Sequence, residues 1–201
     1  MGDPKFSRAK YERPSHPWEA ERIKEENELL KKYGLKNKKE LWKSQFVLRR
    51  FRQRARELQA RLRTGDIQAE KERKELLSRL GRLGLLPAEG TTLDDVLGLD
   101  VEAVLSRRLQ TLAFLKGLAF TPHQARQFIV HGHVAIGGRR VTVPGYLVPR
   151  KDENAIAYDE RSAIANELHP ARPGGQMPEA PPGEGTEGEA SEQEPDNEEG
   201  A

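Results

Sequence analysis

The stretch from Asp100 to Pro149 constrains this chain most, because helix starts, helix stops and a tight turn can all be assigned within it. Thr121-Pro122-His123-Gln124 places a hydroxyl at an N-cap, proline at the first helical position and Gln at the third, so a helix begins at Pro122. On a helical wheel Ala125, Phe128 and Ile129 share one narrow side, while His123, Gln124, Arg126, Gln127 and His131 occupy the other. One face packs and the other offers donors. Gly132 ends the helix, and His133 to Ile136 reads as a short strand with Val134 and Ile136 pointing the same way. Gly137-Gly138 permits the positive φ angles of a two-residue hairpin, which returns through Arg139, Arg140 and Val141. Upstream, one helix is expected from an Asp100 cap to Gly117, with Val101, Val104, Leu105, Leu112 and Leu115 turned inward. Downstream, a turn at Asp152 to Asn154 leads to a further strand at Ala155 to Tyr158.

Before this module lies a helical region. Residues 1–15 are polar, interrupted by Pro4 and Pro14, and read as an extended basic arm. Residues 17–33 have helical charge polarity, but Trp18, Ile23, Leu30 and Tyr33 are too few to hold a helix unless it lies on another element. Asn37-Lys38-Lys39-Glu40 resembles a capping box, and the helix it opens carries Leu48, Phe51, Ala55, Leu58 and Leu62 as an inward stripe. Thr64-Gly65-Asp66 breaks that helix, and a second runs from Ile67 to Leu83, with Leu76, Leu80 and Leu83 inward. A short helix over Thr92 to Leu97 joins this lobe to the module. The sequence thus predicts an α+β chain: a basic arm and helical lobe over 1–99, a helix-loop-helix with a small twisted antiparallel sheet over 100–169, and a disordered acidic tail over 170–201.

Charge narrows the function. The formal net charge is only +2, yet the stretch after His169 holds nine acids against Arg172. Without it the body has 33 basic and 23 acidic residues, a surplus of ten that points to a polyanionic partner such as nucleic acid. From Lys31 to Arg63 thirteen Lys or Arg face Glu40 and Glu57 alone. A solvated helix face usually mixes charge signs for i,i+4 support, so this excess favours phosphate over plain solvation. With no cysteine there is neither a disulfide framework nor a thiolate zinc site. No metal is expected at His131-Gly132-His133, which straddles a helix end without a third ligand nearby. Neither a catalytic triad nor a phosphate-cradling loop has recognisable spacing, so no catalytic residue and no cofactor are expected. No apolar run approaches the roughly 20 residues needed to cross a bilayer. A soluble, cytoplasmic protein with no membrane partner and no small-molecule substrate is therefore expected.

The segment RRLQTLAFLKGLAFTPHQARQFIVHGHVAIGGRRV, followed by VPGYLVP, resembles the RNA-binding domain named after small-subunit ribosomal protein S-four. The family's Ser/Thr-x-x-x-Ala-Arg pattern falls on Thr121, Ala125 and Arg126, its Gly-x-Val on Gly132 to Val134, and its hairpin turn on Gly137 and Gly138. Two positions depart from it: Pro122 stands where the wider family often has Arg, and Gly137 where it often has Asn. Gly2-Asp3-Pro4-Lys5, Pro14-Ser15-His16-Pro17-Trp18 and YGLKNKKELW are similar to the archaeal branch of the same ribosomal family. The resemblance implies a structural, primary binder of small-subunit ribosomal RNA, acting early in assembly beside protein S-five and other small-subunit proteins, near the messenger entry path and with influence on decoding accuracy. The candidate RNA contacts are Arg107, Arg108, Lys116, Thr121, His123, Gln124, Arg126, Gln127, His131, His133, Arg139 and Arg140 in the module. In the helical lobe they are Lys38, Lys39, Arg49, Arg50, Arg52, Arg54 and Arg56, while Phe114 and Tyr146 are candidates for base stacking or for core. Rival readings are an accessory of an RNA-modifying enzyme, since this domain is also appended to pseudouridine synthases and a tyrosyl-tRNA synthetase, and a free-standing RNA chaperone.

Overall fold

The structure is a computed structural model, and it describes residues 10–87, 90–167 and 169–173. Helix α1 spans Ala20–Tyr33, α2 Lys38–Arg63 and α3 Ile67–Leu83. The Thr64-Gly65-Asp66 break holds, with Gly65 at φ 77° and the Asp66 carboxylate accepting from the Gln68 amide to start α3. Helix α4, Leu93–Gly98, opens on a full capping box between Thr92 and Asp95. Leu48, Ala55 and Leu58 of α2 meet Ala69, Leu76 and Leu80 of α3 and Leu93 and Val96 of α4 in one buried core. The period-3.6 stripe read from sequence is this core's wall.

Helix α1 is held by Leu29, Leu30 and Tyr33, which pack on buried Leu35, Leu41 and Leu105, and by a buried charge. Glu26 is buried, accepts from Arg22 at 2.7 Å and Trp42 at 3.1 Å, and forms an ion pair with Lys38 at 3.1 Å. Burial pushes its carboxyl up, but the Trp42, Arg22 and Lys38 donors outweigh this and leave it below the ordinary value. Trp18, expected to help anchor this region, is 91% exposed.

The single helix expected from Asp100 to Gly117 is two: α5, Val101–Ser106, and α6, Leu109–Leu115. Nothing local breaks it. The loop carrying Val143-Pro144-Gly145-Tyr146 folds back, and the Tyr146 and Pro144 carbonyls accept from the Leu109 and Gln110 amides at 2.8 and 3.3 Å, replacing the preceding turn at the start of α6. The Val148 amide likewise takes the Arg107 carbonyl at 3.1 Å. Val104 of α5 joins the helical core rather than the module, and Leu115, expected inward, is 67% exposed.

Helix α7, Pro122–Val130, starts where expected, with the Thr121 side chain accepting from the Gln124 amide. Strands β1, Val134–Ile136, and β2, Arg139–Arg140, form the two-residue hairpin, with Gly137 and Gly138 at φ 56° and 76° and Ile136 opposite Arg139. Strand β3, Ile156–Tyr158, follows a 3₁₀ turn at Arg150–Ala155 and pairs antiparallel with β1, giving the order β2-β1-β3. Leu109, Leu112, Ala125, Phe128, Ile129, Val134 and Ile156 form the module's own core. Ala171 packs on that core and Arg172 stacks over Tyr158 at 5.1 Å, so residues 169–173 lie on the module although the sequence assigned 170 onward to the tail. The arm over residues 1–9 and the acidic tail beyond 173 lie outside the described residues. No helix among the described residues is long and apolar enough to cross a membrane.

Leu58→Ala is expected to cost about 2–5 kcal/mol, since its fully buried side chain leaves a cavity where α2 crosses α3 and α4. Ile67→Ala, at a position 76% exposed, is expected to change stability by no more than about 0.5 kcal/mol. Urea melts of the two variants check this pair.

Candidate nucleic-acid interface

Asn37 caps α2 through the Glu40 amide at 3.3 Å, as its sequence suggests. The Glu40 carboxylate does not return to close a capping box. It crosses to the module instead, accepting from Arg108 at 2.7 Å and from both terminal nitrogens of Arg126 at 2.5 and 3.1 Å. Arg126 also donates to Gln110 at 3.3 Å. Gln110, fully buried, donates to the carbonyls of Gly34, Pro122 and Tyr33 at 2.8, 2.9 and 3.2 Å. Gly34 is at φ 59°, and a Cβ there would sit 2.7 Å from the Pro122 Cβ, so the turn between α1 and α2 lies directly on the start of α7. Burial would raise the Glu40 pKa, but the Arg126 and Arg108 guanidiniums prevail and hold it below the usual carboxylate range.

This joint corrects the wheel. Arg126 was expected on an exposed donor face, but α7 is covered on two sides: Phe128 and Ile129 face the module core, and Arg126 faces the helical lobe. Arg108, only 5% exposed, and Arg107 are likewise structural. Arg107 donates to Glu153 at 2.8 Å and to the Val148 carbonyl at 3.1 Å, and its guanidinium lies against Gly84 at the end of α3. It is a second strut between the lobes.

Other candidates also have polar groups committed inside the protein. Lys38 pairs with Glu26, Arg52 donates to the Leu99 carbonyl, Lys116 to the Glu153 carbonyl, and Thr121 is the α7 cap. Gln124 accepts from the Phe120 amide at 2.7 Å and donates to the Ala171 carbonyl at 2.9 Å, so it fixes the loop before α7 and the segment over residues 169–173. The His133 ring shares a hydrogen bond with Ser162 at 2.8 Å, and burial, then His131 and Arg140, lower its pKa. A second group faces outward in ion pairs: Arg49 with Glu12 and Arg54 with Glu57 and Glu72 at the surface, and Arg140 with the buried Asp159. Lys39, Arg50, Arg56, His123, Gln127, His131 and Arg139 are exposed, and among the described residues no ion pair or side-chain hydrogen bond occupies them.

Sequence reasoning assigned no role to Gln110 and read Glu40 only as a cap. Their partners lie far along the chain, and no local signal marks them. It also passed over Arg79 and Arg82 in the last turns of α3, and Arg150 and Lys151 after Pro149. Phe114 packs beside the module core and Tyr146 is 40% exposed. No group of three or more His, Cys, Asp or Glu suited to a metal occurs among the described residues.

Residues 107–154 match the S4 domain family. The chain is 59% identical over 172 residues to the small ribosomal subunit protein uS4 of Thermoplasma acidophilum, covering 86% of each chain. It is 54% identical to the protein of that name from Methanococcus aeolicus, covering 86% of this chain and 96% of the relative. It is 52% identical to that from Picrophilus torridus, covering 86% and 93%.

Glu40→Ala strands the buried Arg108 guanidinium and the half-buried one of Arg126 and is expected to lower stability by about 3–5 kcal/mol. Because the folded-state pKa of Glu40 lies below its unfolded value, its contribution is complete above roughly pH 4.3 and is lost as pH falls through the lowered folded value. Glu40→Gln cannot titrate there. Denaturant melts between about pH 7 and 2 should show a shallower acid limb for that variant than for the parent chain.

Proposed function

This chain belongs to the small ribosomal subunit protein uS4 family, and from that premise we propose that it is a structural, non-enzymatic component of the small ribosomal subunit that binds ribosomal RNA. The observation that carries the reading is the set of outward side chains with no ion pair or side-chain hydrogen bond among the described residues. Lys39, Arg50 and Arg56 of α2 lie on one side of the Glu40 joint, and His123, Gln127 and Arg139 on the other. Cations free of internal partners neutralise phosphate without first breaking an ion pair, and a fixed joint matches their spacing to folded RNA rather than to a flexible strand. Arg49 and Arg54 add donors that exchange a surface carboxylate for phosphate at small cost, whereas Arg140 is tied to the buried Asp159.

In the finer reading the protein binds a helical junction early and nucleates assembly. It then adjoins protein S-five and other small-subunit proteins near the messenger path, where its position affects decoding accuracy. The location is the ribosome of the cytoplasm. Sedimentation of lysate separates this from a free-standing chaperone: one copy in every mature small subunit is the expected result, and absence from that fraction rejects it. An assay for uridine conversion on bulk RNA is expected to detect none.

Replacing Arg50 and Arg56 together with Ala should weaken binding to small-subunit RNA and flatten the plot of log affinity against log salt by roughly 1.4–1.8, while changing stability by no more than about 0.5 kcal/mol. Arg108→Ala should instead lower the melting temperature. A salt slope unchanged by the double replacement would reject phosphate contact at these positions.

A further inference from the structure

A groove of about 910 Å³ runs between the two lobes, beside the Arg107 strut. Val47 and Phe51 of α2, Leu83 of α3, and Leu147 and Pro149 of the module form its apolar floor. Arg79, Arg82, Arg150 and Lys151 stand at its rim, all exposed. None of the residues lining it is acidic, and among the described residues these four cations have no ion pair. A concave apolar floor under four uncompensated cations is a seat for an acidic polypeptide, because a carboxylate there meets its partner in a setting less polar than open water.

We propose that this groove holds the chain's own acidic C-terminal stretch, residues 184–199, which contains eight carboxylates and no cation. The described chain ends at Pro173, next to Arg172, which lies over Tyr158. From Tyr158 back to Arg150 the chain is a three-residue strand and a 3₁₀ turn, so roughly 30 Å separates Pro173 from the rim. The eleven residues from Pro173 to Glu184 span about 36 Å when extended, which is enough. A tether of this length keeps the acids at about millimolar local concentration, so weak individual pairs suffice. The acidic stretch thereby competes with RNA for the cations between the lobes and falls away as salt rises.

The chain has no cysteine, so Ser191→Cys in the full-length protein takes a single nitroxide label. At about 20 mM salt, where the Debye length exceeds 20 Å, the amide signals of Phe51, Leu83 and Leu147 should broaden several-fold more than those of Ala135 and Ala157 in the sheet. The excess should fall at least threefold at about 0.5 M salt, and equally in a labelled chain that also carries Arg79→Ala and Arg82→Ala. Even broadening across the protein, broadening centred on Arg49 and Arg56, or none at all would overturn the proposal. So would small-subunit RNA shifting the groove signals in a chain whose label had never broadened them. If the protein failed to bind ribosomal RNA, the label result would stand unchanged, so the two readings fail separately.

Discussion

One carboxylate between two guanidiniums holds this protein in a single shape. Glu40 comes from the first turn of α2, Arg108 from the residue before α6 and Arg126 from the middle of α7, so three segments from two lobes share one charge centre. Taking such groups out of water costs much of what their attraction returns, and the gain lies in geometry more than in net stability. Gln110 completes the joint with three backbone carbonyls, one of them Gly34's, where only a residue without a side chain leaves room for Pro122. The lobes therefore meet as fixed surfaces, and the outward cations of α2 keep their distance from those of the hairpin.

What was legible in the sequence was local. The caps at Asn37 and Thr121, the helix break at Thr64-Gly65-Asp66, the glycine after α7 and the Gly137-Gly138 turn each depend on atoms a few residues apart, and each forms as its residue types require. The errors fall where distant parts of the chain intervene. The α5–α6 break has no glycine or proline of its own; it exists because the backbone of residues 144–148 pairs with residues 107–110. The wheel for α7 assumed one buried face, and the helix has two.

Charge was legible as a total and not as an allocation. Thirteen cations between Lys31 and Arg63 announce a polyanion, but Lys38 is committed to Glu26, and Arg61 is committed to Asp66 and Glu72. Counting cations overstates the surface open to phosphate, because an ion pair within the protein and one with RNA draw on the same donors. The module illustrates this most sharply: its conspicuous Arg107-Arg108 pair braces the lobes, and Arg139 at the hairpin turn stays outward.

The turn at Val143-Pro144-Gly145-Tyr146 sets an order of events during synthesis. The chain emerges from its N-terminus, and the first amides of α6, at Leu109 and Gln110, find their acceptors only when Pro144 and Tyr146 have been made. Until then α6 has neither a side-chain cap nor a preceding turn, and Glu40 waits for Arg126 with its charge still in water. The buried core of α2, α3 and α4 needs no residue beyond Val104, so it closes first, and Leu147 is added to its edge later. The module then assembles against that surface, and its sheet is complete only when β3 has been made.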